Sequence, residues 1–308
     1  MATSGARCSG VARWGAGLVF RAEGAGLAPG IHVEESGLTR AVLADSAAWR
    51  WVTPRVTAGV LTAGGLPRDR VGGHVEAVAF RVEGRDPVVV PGHAWAVRDD
   101  GKAAVVADAR GAQVHRVWLQ TGAVEPLCAL AGEVDPLSPP WVGLDAAGVV
   151  LLAHAPTARG EVTLESVTLE SGERRVLHGP VPGPAWVTAA AAGARVVVFE
   201  MRLGDAPVFR ILAVDGGRPA RTLAELPRAQ PWGEPVLVDE QCLVAPLSLA
   251  SHAEATHGPV ELVALRLDGG TPVPLTREGS IRGTLRNQRG TLVLEGGRQL
   301  GEVLLTRP

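Results

Sequence analysis

The chain has 308 residues, a formal net charge of −2 and 46% hydrophobic residues. That apolar content excludes a disordered chain, and the near-neutral balance argues against nucleic acid or an anionic membrane as partner, since both select a basic excess. With 39 Gly and 23 Pro, long helices are disfavoured and many short strands joined by turns are expected.

The first ten residues are small and polar. The apolar run 17–20 is too short for a leader and is cut by Arg21, so no signal peptide is expected. No apolar stretch approaches the length of about 20 residues that spans a bilayer. The longest candidate, 185–199, contains Arg195 and reads as two strands. A cytoplasmic monomer is the expectation. Cys8, Cys128 and Cys242 are far apart, odd in number and lack a Cys-x-x-Cys spacing, which predicts reduced thiols rather than disulfides or a zinc site.

Tryptophans mark an internal repeat. Trp51, Trp95, Trp141, Trp186 and Trp232 recur with a period of about 45 residues, most of them after a Gly- or Pro-containing loop. The first unit, residues 7–47, has apolar segments at 18–20 and 31–34 and the turn Glu35-Ser36-Gly37. The second, 48–92, has segments at 60–62 and 74–82 and the turn Glu83-Gly84-Arg85. The third, 93–137, resolves into four segments: 95–98, the continuous apolar run 103–107, the alternating 113–119, and 123–130 after Gln120-Thr121-Gly122. The fourth, 138–182, repeats this at 141–144, 149–153, 161–169 and 174–177. The fifth, 183–229, has 194–199, 208–214 and 220–226, and the sixth, 230–278, has 241–245, 260–267 and 272–275. A last unit, 279–308, offers 284–286, 291–295 and 302–305.

The Gly-containing turns before each fourth segment read as hairpin turns. A second segment that is uniformly apolar is covered on both faces, and alternating segments are half exposed. Four-stranded antiparallel units with that pattern, stacked around an axis, predict an all-β chain, a single β-propeller. Seven blades are expected, the last closed by residues before Gly10; six blades with an appended hairpin are the alternative.

A tryptophan near the start of the first strand, an Asp-Gly turn (Asp99-Asp100-Gly101-Lys102) before an apolar second strand, and an Asp-Gly-Gly turn before the fourth resemble the TolB-type repeat. That repeat also occurs in the propellers of prolyl oligopeptidase relatives. The resemblance covers most of the chain but is degenerate: the first turn has decayed to Asp145-Ala146-Ala147-Gly148, Ala191-Ala192-Gly193 and Asp239-Glu240. It implies a propeller that binds peptides or proteins. No Gly-x-Ser-x-Gly nucleophile elbow occurs, so a hydrolase domain is not expected.

In a propeller the second-to-third-strand loops and the blade-to-blade linkers share one face. The residue just after the apolar second segment is polar in every unit: Asp108, His154 and Glu200, then Ser248 and Glu295, with Arg21 and Thr62 closest in the first two. Two second-to-third loops are long. Residues 64–73 carry Arg68, Asp69 and Arg70; residues 249–258 carry Ser251, His252, Glu254 and His257. The linkers add His93, Glu133 and Asp135, whereas His74, His115 and His178 read as surface groups.

These placements predict binding of a peptide or protein through His93, Arg68, Arg70, Ser248, Ser251 and Glu295. The alternative is a stand-alone propeller enzyme, a peptide hydrolase or peptide-tailoring enzyme, with His154, Glu200 and Asp108 as acid–base groups. No cofactor is expected; a divalent metal would be held by His252, His257 and Glu254, although their spacing is not that of a helical metalloprotease motif.

Overall fold

The structure is a computed structural model, described here for residues 7–24, 26–69, 74–108, 110–130, 140–145, 147–154, 161–183, 185–192, 195–202, 208–215, 220–227, 230–231, 236–237, 241–248, 260–268, 271–275, 284–288, 291–295 and 301–303. Among them every regular element is a β-strand. The first sheet is β1 (Arg7–Trp14), β2 (Gly17–Gly24), β3 (Leu27–Glu35) and β4 (Leu38–Ala44). The second is β5 (Trp49–Thr57), β6 (Val60–Pro67), β7 (Ala77–Val82) and β8 (Val88–Pro91). The third is β9 (Ala94–Val97), β10 (Ala103–Asp108), β11 (Gln113–Trp118) and β12 (Ala123–Ala129). The fourth is β13 (Trp141–Leu144), β14 (Val149–His154), β15 (Val162–Thr168) and β16 (Arg174–Val181). The fifth is β17 (Ala185–Ala192), β18 (Arg195–Arg202), β19 (Val208–Asp215) and β20 (Arg221–Pro227).

In the sixth sheet β21 (Gln230–Pro231) and β22 (Val236–Leu237) both pair with β23 (Cys242–Ser248), as two pieces of one first strand; β24 (Val260–Arg266) and β25 (Val273–Pro274) follow. A last sheet has β26 (Thr284–Gln288), β27 (Thr291–Glu295) and β28 (Gly301–Val303). Every sheet is a meander of antiparallel strands in chain order, the arrangement of propeller blades. Of the segment expected to close the ring, residues 1–6 lie outside the described residues, and Arg7–Ser9 pair with Arg21–Glu23 in the first sheet. By its internal contacts the chain divides into two compact units: Met1–Thr157 with Ser166–Arg174, and Ala158–Glu165 with Arg175–Pro308.

The second strands organise the cores. Successive side chains of a strand point to opposite faces. In β10, Ala103, Val105 and Ala107 pack with Val142, Val150 and Leu152 of the fourth sheet, while Ala104 and Val106 pack with Val78, Phe80 and Val90 of the second. In β18, Val197, Phe199 and Met201 pack with Leu243, Ala245 and Leu247 of β23. A strand sandwiched in this way must be apolar at every position, which is the physical origin of the continuous runs. The described ladders of β10, β18 and β23 are regular. Where a ladder shifts register, the extra residue lies on a first, third or fourth strand: in β1 and β5, in β3, or in β4, β12 and β20.

The turns behave as their residues dictate. Between β3 and β4, Ser36 and Gly37 both take positive φ (51° and 80°), the backbone of a two-residue hairpin turn whose twist matches the strands. The repeat tryptophans lie on first strands, Trp51 on β5, Trp95 on β9, Trp141 on β13 and Trp186 on β17, as do Trp14 on β1 and Trp49 on β5, whereas Trp118 closes the third strand β11. Trp232 lies outside the described residues. Trp14 and Trp51 are buried in the core shared by the first two sheets, and Trp14 Nε1 donates to Gly59 O at 2.8 Å.

One expectation needs correction. Residues 64–73 read as a loop because of Gly64 and Gly65, yet β6 runs on to Pro67. These glycines provide clearance rather than a turn. A Cβ on Gly65 would meet the Trp51 ring at 2.9 Å, and one on Gly64 would meet Val75 at 2.8 Å and Trp95 at 3.5 Å. Gly65→Ala is therefore expected to destabilise the protein by about 1–3 kcal/mol through overpacking. The urea denaturation midpoint checks it; an unchanged midpoint would show that the ring can move aside at no cost.

Candidate functional site

The inner run of each blade stops at a polar residue. Arg21 lies on β2, Asp108 and His154 close β10 and β14, Glu200 lies on β18, and Ser248 and Glu295 close β23 and β27. Arg21, His154 and Glu200 are buried and Asp108 is half buried. In the second sheet the extended β6 changes the assignment. Thr62 is buried within the strand, opposite Arg55, and the polar residue that follows the strand is Arg68.

A charged group buried here needs a partner: Asp108 and Glu200 are met by a histidine that precedes their blade, whereas Arg21 is met by Asp45, which follows its blade and precedes the next. Between the first two sheets Asp45 accepts Arg21 Nη1 at 3.0 Å and Nη2 at 3.1 Å, Arg68 Nη2 at 3.2 Å and the Trp51 N–H at 3.0 Å. Arg21 also donates to Trp51 O and Glu23. Burial alone would raise the Asp45 carboxyl, but the Arg21, Trp51 and Arg68 bonds outweigh it and hold it below the ordinary value.

Between the second and third sheets the buried His93 has Nδ1 3.7 Å from Asp108 Oδ1. The backbone fixes this pair: His93 N–H donates to Ala107 O at 2.9 Å, and Arg110 N–H donates to Asp108 Oδ1 at 3.0 Å. Arg110 Nη2 in turn donates to Glu76 Oε1 at 2.5 Å. Burial lowers the His93 imidazole, and this exceeds the opposing pull of Asp108 and Glu76.

The third pair lies in the second unit. His178 Nε2, on β16, is 2.8 Å from Glu200 Oε2, while Glu200 Oε1 accepts Arg202 Nε at 2.6 Å and lies 3.8 Å from Arg210 Nη1. Burial would raise the Glu200 carboxyl; the His178 and Arg202 bonds prevail and lower it. A carboxylate kept ionised only accepts, so His178 Nε2 carries the hydrogen of this bond and donates it to Glu200.

Of the expected grouping of His154, Asp108 and Glu200, the structure sets His93 beside Asp108 and His178 beside Glu200, and His154 is buried at the end of β14. His178, expected as a surface group, was missed because β16 runs on to Val181, beyond the apolar segment 174–177. The signal available was its topological place, ahead of the next blade like His93. Arg70, Ser251, His252, Glu254 and His257, with Glu133 and Asp135, lie outside the described residues. Among the described residues no group of three or more His, Cys, Asp or Glu is arranged to hold a metal ion.

No protein-family model matches the chain, and no curated protein sequence matches it. Solved structures do. A prolyl endopeptidase aligns with a TM-score of 0.61 at 14% identity, over 94% of this chain and 46% of that one, so the chain spans just under half the length of that relative. The β-propeller domain of the Trilobed protease from Pyrococcus furiosus aligns with a TM-score of 0.57 at 10% identity, over 85% of both chains. TolB from Acinetobacter baumannii gives 0.50 at 13%, over 85% of this chain and 60% of that one. At these identities the likeness shows the fold, a β-propeller of the TolB and prolyl oligopeptidase type.

The ionic pairs set a pH dependence. His93 is lowered from its ordinary 6.5, so the unfolded chain takes up its proton first, and stability falls as pH drops through 6.5 toward the folded value. Glu200 is lowered from 4.5, so its contribution is complete above 4.5 and is lost at more acid pH. Urea midpoints across this range should fall in two stages. His93→Gln should flatten the first stage and Glu200→Gln the second; a variant whose profile follows the parent's overturns the corresponding assignment.

Proposed function

From a propeller of this type, we propose that the protein binds a peptide or protein segment at the end of the blades where the second strands stop and the linkers cross. The observation that carries this reading is the repeated polar pair at that end: Asp45–Arg68, His93–Asp108 and His178–Glu200. Such groups, fixed in place beside apolar strands, provide the few oriented polar contacts that a peptide site uses. The fold neighbours support the choice of ligand, since a prolyl endopeptidase and a protease propeller domain are among them.

Selection of displayed random peptides on the purified protein tests the reading. Saturable binding is expected, and it should weaken in His93→Ala and Asp108→Ala variants that keep the parental melting temperature. No enrichment, or binding indifferent to both substitutions, refutes it. Running the assay with and without a chelator tests whether His252, Glu254 and His257 hold a divalent metal.

The His178–Glu200 pair favours a second reading, a stand-alone propeller enzyme acting on peptides. A histidine oriented by an ionised carboxylate has the geometry of a general base. Mass spectra of a peptide pool after incubation would then show new products, and His178→Gln should abolish them; a pool unchanged by the parent protein removes this reading.

A further inference from the structure

We propose that Arg68 and Arg110 form a carboxylate-binding site in the first unit, and that the ligand is an acidic peptide segment; this rests on the peptide-binding reading above. Two kinds of arginine are visible in the structure. Arg98 and Arg266 pair with acids two residues away, Asp100 and Asp268, and Arg116 pairs with Glu125 across its own hairpin. These ion pairs stay within one sheet, although Arg116 Nη1 also donates to Leu169 O at 3.0 Å and Glu170 O at 2.7 Å of the fourth. Arg68 and Arg110 are held differently. Each is anchored through one terminal nitrogen to a carboxylate from another segment that is itself largely covered: Asp45, 2% exposed, and Glu76, 13% exposed. The guanidinium side chains above them are 45% and 47% exposed.

A guanidinium carries five N–H donors in a rigid fork. Among the described residues, Asp45 and Glu76 are the only side-chain partners of these two half-exposed forks, which leaves most of their donors without a side-chain bond there. Anchoring removes much of the rotamer entropy that a free arginine would lose on binding. The anchors also neutralise the charge beneath, so recognition depends on directed, bidentate hydrogen bonds rather than on a basic surface.

The two forks flank one feature. Arg68 directly follows β6 and opens the connection to β7, residues 68–76. Glu76 closes that connection, with its N–H on Gly65 O at 3.0 Å, and Arg110 is bonded to Glu76. A segment bearing two carboxylates would engage one fork at each foot of the connection. Arg202 on Glu200 repeats the device in the second unit, with the arginine 44% and the carboxylate 2% exposed.

Fluorescence anisotropy on the full chain tests this, with a labelled Glu-Gly repeat peptide beside its Gln-Gly and Lys-Gly counterparts, each with a free and an amidated C-terminus. The Glu peptide is expected to bind at least about tenfold more tightly than the Gln peptide, the worth of one charge-assisted bidentate contact. Combining Arg68→Gln with Arg110→Gln should erase that difference, and Arg98→Gln should leave it intact. If Arg110→Gln lowers the melting temperature, Arg110→Lys replaces it, keeping a charge on Glu76 without the fork. Retention on amidation assigns the carboxylates to side chains, and loss assigns one to the chain end; both support the site. Equal binding of Gln or Lys peptides, or a double variant that binds like the parent, overturns the acidic-ligand proposal while peptide binding stands. Binding of none of the peptides overturns both.

Discussion

The rest of the architecture depends on the burial of a blade's second strand on both faces, as in β10. A strand that touches one neighbouring sheet with its odd residues and the other with its even residues excludes charged side chains along its covered length, the hydroxyl of Thr62 in β6 being the polar group it admits. Ala103–Ala107 in β10 and Val197–Phe199 in β18 show the result. The strand's end is the first place where a polar group fits, and there it is still partly covered. A charge at that point costs solvation and must be compensated by a partner.

The chain meets that need with residues that precede the blade. Asp45, His93 and His178 each stand ahead of the second strand whose end they partner. One set of contacts thus closes the polar end of the inner strand and fixes the path of the entering chain. The same end is where the candidate ligand groups lie. The proposed recognition would use side chains that also hold the structure together, and the fully buried parts of the blades are left to packing alone.

Most of the architecture was legible because it rests on short-range chemistry. The tryptophan period, the Gly-containing turns and the contrast between continuous and alternating apolar segments each report a local constraint. The polar register after the inner strand was legible for the same reason. What escaped were features decided by distant residues. Gly64 and Gly65 look like loop residues until the rings of Trp51 and Trp95 are in place above the strand. His178 looks like a surface group until Glu200 arrives from the next blade. The pairing of each acid with its own histidine likewise depends on which segments meet, and spacing along the chain does not encode that.

The regular ladders of β10, β18 and β23 work as a reading frame. Alternate residues spell two different interfaces, so one inserted residue would be a frameshift, exchanging the side chains meant for the two neighbours from that point on. The irregularities in the described ladders sit on the strands that flank the frame, where a slip disturbs one face only. Length changes in such a chain can therefore accumulate in linkers and outer strands, while the inner strands change by substitution.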